Sequence, residues 1–256
     1  MDAFWAAPPV SRTLTALTFG TSLLFYGGLV NGTRIIFYLP WIFKFPMPEV
    51  WRLFTSFWVT GPQLSIIFDT FFLWTYSSGL EKGSGRFSQP GDYFIYIIFT
   101  GLIILITAGG ILGGYIFTQA LILAIAWTYA QDNKGKKVSF FVVQFNVIWL
   151  PLAMLLLTFV LAGPNAALNQ SMGLVAAHLY DFLTRLWPEF GGGKNYIFTP
   201  NVVKRWFGAD KPGFQHRGYG TAYRTGAPAP GRGTSSGFGF STAWGTRGQG
   251  RRLGGD

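Results

Sequence analysis

Long stretches without charge are the feature of this sequence that most constrains its fold. Residues 13–33, 93–131 and 138–180 contain no charged side chain, and residues 53–80 contain only Asp69. A bilayer core about 30 Å thick needs about 20 apolar residues in one helix, since each residue adds 1.5 Å. The sequence therefore predicts an all-α membrane protein.

Glycine and proline divide the two longest stretches. Residues 109–114 are glycine-rich, and Gly163-Pro164 interrupts the last stretch, so each is expected to form two helices joined by a turn. The prediction is a six-helix transmembrane bundle over residues 1–187, with spans at about 14–32, 54–79, 93–111, 114–131, 139–162 and 167–187. Residues 188–256 are basic and glycine-rich, and we expect them to form a largely disordered tail.

The distribution of charge predicts the orientation of these spans. An even number of spans places both termini on one side of the membrane. The loops on that side and the tail hold most of the basic residues, whereas the opposite side holds Arg34, Lys44 and Arg52. The positive-inside rule therefore predicts that both termini and the tail are cytosolic.

Polar side chains inside the predicted spans are the first candidate functional residues, because such groups are costly in hydrocarbon. They are Asp69 in the second span, Gln144 and Asn146 in the fifth, and His178 and Asp181 in the sixth. One interpretation is a hydrated cavity within the bundle. The other is structural pairing between neighbouring helices.

Small residues mark a site of close helix packing. Gly173 and Ala177 are four positions apart on the sixth predicted span, and such a pair lets another helix approach closely.

Several kinds of chemistry are excluded or disfavoured by the sequence. There is no cysteine, and the two histidines, His178 and His216, lack the carboxylate or histidine neighbours of a metal site, so no metal or cofactor is predicted. An intramembrane serine protease would need a serine beside a histidine base, but the fourth span offers only Thr118 and Thr128. A transporter would usually show an inverted repeat, which we do not find. A purely structural membrane scaffold stays open as a third alternative.

The C-terminal tail ends in a candidate linear motif. Two glycines, two arginines and a leucine fall within residues 248–253: Gly248, Gly250, Arg251, Arg252 and Leu253. This density favours a short segment that docks in a partner's groove, with ordinary low complexity as the alternative. No Arg-Gly-Gly repeat occurs, so no nucleic-acid partner is expected.

The order and spacing of several motifs together resemble the Derlin family, which are catalytically inactive rhomboid-like proteins of endoplasmic-reticulum-associated degradation. The resemblance covers about residues 10–210 and the terminal motif. The matching segments are Glu49-Val50-Trp51-Arg52, Gly61-Pro62, Tyr76-Ser77-Ser78-Gly79-Leu80-Glu81, Pro90-Gly91-Asp92-Tyr93, Ala130-Gln131-Asp132-Asn133 and Ala177-His178-Leu179-Tyr180-Asp181.

The resemblance implies a six-helix rhomboid-like pseudoprotease of the endoplasmic reticulum membrane that helps to move misfolded proteins to the cytosol. It implies that Trp51 and Arg52 hold the first lumenal loop and that Asn146 and His178 line a cavity. The segment 248–253 is similar to the box that binds the AAA ATPase valosin-containing protein. A ubiquitin-ligase complex, misfolded substrates, the lipid bilayer and a homo- or hetero-oligomer are the other implied partners. The chain has no nucleotide-binding motif, so the energy is expected to come from that ATPase.

Overall fold

The computed structural model describes residues 2–89, 91–140, 143–191 and 197–208 and is mostly helical, which fits an all-α membrane protein. The terminal motif at 248–253 lies outside the described residues. The helices are α1 Asp2–Trp5, α2 Pro9–Tyr26, α3 Leu39–Ile42, α4 Arg52–Thr55, α5 Ser65–Gly83, α6 Asp92–Ile104, α7 Thr118–Asp132, α8 Leu150–Ala162, α9 Pro164–Asp181, α10 Trp187–Phe190 and α11 Asn201–Trp206. Leu105–Ile111 continues α6, and Phe182–Leu186 continues α9, both in π-helical geometry.

Side-chain contacts define two ends of the bundle. At the first end, Glu81 near the end of α5 accepts a hydrogen bond from Ser11 in the first turn of α2. At the same end Arg86 pairs with Asp132 and Asp181, the last residues of α7 and α9. We call this the Arg86 end. The start of α2 and the end of α9 therefore lie at one end, as an even number of antiparallel passes requires.

The opposite end holds the loop around Arg52, and we call it the Arg52 end. Tyr26, which ends α2, donates a hydrogen bond to the carbonyl oxygen of Thr60 just before α5. The backbone amide of Phe117, just before α7, donates to the carbonyl oxygen of Ser56. These contacts show that α2 runs antiparallel to α5, and that α5 and α7 both begin at the Arg52 end.

The α2 helix has the reverse of the pattern found in a soluble amphipathic helix. Its buried residues include the hydroxyl side chains Ser11, Thr15, Thr18 and Ser22, whereas its exposed residues include Leu17, Phe19, Leu23 and Leu24. Small and hydroxyl residues at helix contacts, with large apolar residues outside, are typical of helices packed in lipid. This pattern supports a membrane environment independently of helix length.

Close packing between α7 and α9 forms the centre of the bundle. Most of α7 is buried, and Gly173 of α9 lies so near it that an added β-carbon would overlap the carbonyl oxygen of Ala120. Ala177 is buried in a small cluster with Ala124 and Trp127. Small side chains on α9 thus permit this close approach.

By length and composition, one helix within the described residues can cross a bilayer unaided. It is Asp92–Ile111, of 20 residues, and Val147–Ala162 is apolar but shorter. The other long helices depart from a simple span in different ways. α7 has only 15 residues, and α5 carries Asp69, Glu81 and Lys82.

The second predicted span, 54–79, is displaced in the structure. The short helix α4 ends at Thr55, and α5 begins only at Ser65. Between them lies Gly61-Pro62, followed by Gln63 with a positive φ of 57°. Proline and a left-handed residue both interrupt regular helical hydrogen bonding, so the chain turns before it enters α5. The helix then runs past the predicted bound to Gly83.

The fifth predicted span, 139–162, is wrong in its first half. Strands β1 (Lys137–Phe140) and β2 (Val143–Asn146) pair antiparallel there, and α8 begins at Leu150. The segment is rich in valine and phenylalanine, which favour extended backbone, whereas Pro151 suits the first turn of a helix. The apolar character of residues 139–162 alone did not distinguish the strand pair at its start from the helix that follows.

Candidate functional site

A groove of about 300 Å³ lies between α5, α7, α8 and α9 near the Arg52 end. Its walls are mostly apolar, and its polar lining comprises Ser65, Asp69, Gln119, Thr158 and Gln170. The first two turns of α5 and α9 and the first turn of α7 bring four of these groups together, because all three helices begin at the same end; Thr158 comes from α8. The side chains that line the groove include no lysine, arginine or histidine among the described residues.

Asp69 and Gln170 are the most informative groups in this groove. Only 9% of Asp69 and 4% of Gln170 are exposed. The Asp69 carboxylate accepts hydrogen bonds from the Gln119 side chain and the Gly61 backbone amide. Its Oδ2 atom and Oε1 of Gln170 accept none from the described residues. Buried acceptors without donors cost free energy, so they rarely persist without a role.

The groove opens sideways between α5 and α8. Both helices pack against α7, yet α5 and α8, which are both fully described, do not pack closely against one another. Leu161 at the end of α8 and Leu64 just before α5 line the groove and are exposed. A polar-lined groove that opens between two apolar helices can receive a segment from the surrounding bilayer.

Arg52 organises the loop at its own end of the bundle. Its guanidinium is 1% exposed, forms an ion pair with Glu49 and lies 4.6 Å from the ring centroid of Trp41. It also donates hydrogen bonds to the carbonyl oxygens of Thr33 and Ile36. Arg52 thereby joins α4 to the chain between α2 and α3. A buried and fully paired guanidinium is a structural clamp.

Trp51, the neighbour of Arg52, lies at the surface of the same loop. Half of its side chain is exposed, and its indole nitrogen donates to the carbonyl oxygen of Arg34, 3.1 Å away. Phe43, Phe45 and Met47 on this loop are still more exposed. An indole with one hydrogen-bonded edge and one free face suits a membrane interface.

Asp181 belongs to a buried ion-pair cluster at the opposite end, which we call the Arg86 network. Its Oδ1 lies 2.7 Å from Nη1 of Arg86, and its Oδ2 lies 3.3 Å from Nη2 of Arg185. Nε of Arg86 lies 2.6 Å from Oδ1 of Asp132, which also accepts a hydrogen bond from Ser84. This network ties the chain after α5 to the ends of α7 and α9. Asp181 and Asp69 therefore do not share one cavity.

Three other predicted site residues lie outside the groove. Gln144 and Asn146 are on strand β2 rather than on a membrane helix, and the side chain of Asn146 caps the turn before α8 by accepting from the Ile148 amide. His178 is exposed and its ring lies against that of Trp127 at an angle of 38°, with its Nδ1 2.8 Å from the carbonyl oxygen of Leu174. Neither Asn146 nor His178 lines this groove, so the expectation that they line one cavity is wrong for it.

Sequence reasoning missed Gln119 and Gln170 in the groove and the central role of Arg86. A signal for the first two was present, since each is a polar side chain inside a predicted membrane span. Arg86 was assigned only to a basic loop, because its two acidic partners are 46 and 95 positions away in the sequence.

Comparisons with known proteins give a consistent result. A model of the Der1-like family matches residues 7–201. The chain is 30% identical to Derlin-1 of Homo sapiens over 217 residues, which is 83% of this chain and 84% of the relative. It is 28% identical to Derlin-1.2 of Zea mays over 207 residues, which is 80% and 83% of the two chains. The matched region contains the groove, the Arg52 clamp and the Arg86 network.

Proposed function

The chain belongs to the Der1-like family, and from this premise we propose that it helps misfolded proteins to leave the endoplasmic reticulum membrane for degradation in the cytosol. Family membership supports a role in endoplasmic-reticulum-associated degradation. The finer proposal is a six-span, rhomboid-like protein without catalysis that receives substrate segments in its groove.

The groove between α5 and α8 is the observation that carries this proposal. A polar segment in hydrocarbon lacks hydrogen-bond partners, and each unsatisfied backbone group costs several kcal/mol. The groove offers acceptors from Asp69, Gln119 and Gln170 beside apolar walls that suit the rest of a membrane segment. Binding in the groove would therefore lower the free-energy cost of a partly polar segment within the bilayer.

The proposed orientation places the Arg86 end in the cytosol. Arg12, Lys82, Arg86 and the basic residues 134–137 lie at or near that end, and positive loops favour the cytosolic side. The tail then reaches the cytosol, where residues 248–253 would recruit an AAA ATPase of the valosin-containing protein type. A ubiquitin-ligase complex would modify the emerging substrate.

The surroundings of His178 support a function without proteolysis. The imidazole contacts the ring of Trp127 at a centroid distance of 4.1 Å, and the hydroxyl groups of Thr118 and Thr128 donate to backbone carbonyl oxygens. A nucleophile and its base need mutual hydrogen-bond reach. The contacts of these three residues favour structural roles instead.

A groove-filling substitution tests the proposal. Thr158→Trp places a large side chain in the groove, whereas Leu156→Trp places it on the exposed face of the same helix, where Leu156 is 62% exposed. In cells that lack the endogenous protein, the half-life of a misfolded single-span protein is measured by a translation-block chase. We expect Thr158→Trp to lengthen it several-fold and Leu156→Trp to leave it near the wild-type value. Equal half-lives for all three proteins would reject the groove as the working site.

The tail is tested separately by a pull-down from solubilised membranes. We expect the full chain to retain the AAA ATPase and a form truncated after Thr246 to lose it. Equal recovery with both forms would remove the recruiting role of residues 248–253 and leave the groove proposal intact.

A further inference from the structure

The groove holds hydrogen-bond acceptors that its own residues leave unsatisfied. Asp69 and Gln170 are each more than nine-tenths buried, both line the same 300 Å³ groove, and one side-chain oxygen of each accepts no hydrogen bond from the described residues. Asp69 is a carboxylate, which when ionised only accepts hydrogen bonds. A ligand that satisfies this site must therefore bring donors.

The charge of the groove narrows the class of ligand further. No basic side chain lines it among the described residues, so the Asp69 carboxylate has no cationic partner there. Elsewhere in the described bundle, Glu49 pairs with Arg52, and both Asp132 and Asp181 pair with Arg86. A carboxylate facing hydrocarbon is stabilised by a cation that approaches through the same medium.

We propose that the groove selects membrane segments that carry a lysine or arginine, and that Asp69 and Gln170 recognise that side chain. This inference rests on the proposed function and adds the substrate class. The lateral opening between α5 and α8 admits a helix from the bilayer, and the apolar residues Leu64, Leu157 and Leu161 contact its uncharged part. A basic side chain supplies three to five N–H donors, which suits a groove lined by two acceptors that lack donors.

The position of Asp69 gives the proposal a second, geometric consequence. Asp69 lies four residues into α5, or about 6 Å from the start of that helix at the Arg52 end. The basic residue of a substrate must reach this depth. A lysine in the half of the substrate segment nearest the Arg52 end should bind better than one in the other half.

Photo-crosslinking in intact membranes tests both consequences. A photoreactive residue replaces Leu157 in the full-length chain, and the partners are single-span proteins that differ only in one guest residue: Lys, Leu or Glu. We expect the Lys segment to crosslink at least five-fold more than the Leu segment, with the larger yield when Lys lies towards the Arg52 end. The Glu segment should crosslink less than the Leu segment. Equal yields for Lys and Leu in the chain whose only change is the photoreactive residue at 157 would overturn the proposal.

Charge variants complete the test. Asp69→Asn should reduce the Lys yield to the Leu level, and Asp69→Lys should reverse the preference in favour of Glu. Glu189→Gln removes an equal charge from an exposed site outside the groove and should leave the preference unchanged. If the Lys preference persisted in Asp69→Asn, Asp69 would not be the residue that recognises the basic side chain. The translation-block chase separates this proposal from the proposed function. If the protein accelerated the degradation of substrates with a Lys segment and with a Leu segment equally, the proposed function would stand and the selectivity for basic residues would be rejected.

Discussion

The Arg86 network and the Asp69 groove both bury charge inside the same bundle, but they treat that charge in opposite ways. In the network, Arg86 pairs with Asp132 and Asp181, so each carboxylate faces a guanidinium. In the groove, Asp69 keeps one oxygen without a donor, and no cation lines its space among the described residues. Helices α7 and α9 contribute to both sites.

This difference separates a structural role from a binding role. Completed ion pairs hold helix ends in one arrangement, and removal of one partner exposes the other to an environment with few donors. An incomplete site stabilises the fold less and leaves free energy available for a ligand. Substitutions in the network should therefore change stability, whereas substitutions in the groove should change recognition.

The largest effect on stability is expected from Arg86→Met. The change removes the cation that faces two buried carboxylates, and loss of one partner from a buried pair typically costs about 3–5 kcal/mol. We expect a strongly lowered melting temperature in detergent, measured by size-exclusion chromatography after heating. Adding Asp132→Asn and Asp181→Asn to this variant should recover part of the loss, because no carboxylate then lacks a partner.

Arg185→Met is the matched control for Arg86. Arg185 pairs with the same Asp181 at 3.3 Å, but 38% of its side chain is exposed. Exposed pairs contribute about 0–1 kcal/mol, so the melting temperature should change little. Equal losses of stability in the two arginine variants would show that burial of the guanidinium does not determine how much its ion pair contributes.

A smaller loss is expected from Gly173→Ala, which tests the close contact between α7 and α9. The added methyl group would overlap the carbonyl oxygen of Ala120, so α9 must move away from α7. Overpacking of this kind costs about 1–3 kcal/mol. Gly20→Ala in α2 is the control, since nothing lies within 4 Å of its added methyl group. A melting temperature for Gly173→Ala at or above that of Gly20→Ala would contradict the close packing.

The sequence predicted the family and the small residues at the α7–α9 contact better than it predicted the helix ends. The motifs that resembled Derlins led to a family that the comparisons confirmed. Uncharged length was a good guide to Asp92–Ile111, whose helix continues through its glycines in π-helical form. It was a poor guide over 139–149, because valine and phenylalanine are equally apolar in a strand and in a helix.

The candidate site was predicted only in part because its partners are distant in sequence. Asp69 was identified from its cost in hydrocarbon, but its neighbours Gln119 and Gln170 follow 50 and 101 positions later. Their convergence depends on α5, α7 and α9 all starting at the Arg52 end. His178 and Asp181 were predicted as polar residues of the same span, yet the exposed imidazole of His178 lies against Trp127, whereas Asp181 pairs with Arg86.

Glu81→Gln should have a still smaller effect on stability. The Glu81 carboxylate accepts hydrogen bonds from the Val10 amide, the Ser11 amide and the Ser11 hydroxyl group, and so caps the first turn of α2 from α5. Negative charge at a helix N-terminus contributes about 0.3–1 kcal/mol, and a charged acceptor bonds more strongly than an amide oxygen. We expect a loss of about 1 kcal/mol.

The adjacent substitution Lys82→Gln is the control for Glu81, because Lys82 is exposed and on the same turn of α5. Its melting temperature should match the wild-type value. A larger loss for Lys82→Gln than for Glu81→Gln would show that the cap does not hold α2 to α5.

The smallest effect on stability is expected from Asp69→Asn, and this variant tests the comparison most directly. An amide in place of the carboxylate keeps the shape and one acceptor while it removes a charge that no described cation in the groove offsets. The free energy of unfolding should therefore stay within about 0.5 kcal/mol of the wild-type value, or rise, since burying an unpaired charge is unfavourable. The melting temperature measures this change. Degradation of a substrate with a basic membrane residue should nevertheless slow several-fold in the chase assay. If Asp69→Asn instead destabilised the protein as much as Arg86→Met, Asp69 would be a structural residue, and the two buried sites would no longer differ in kind.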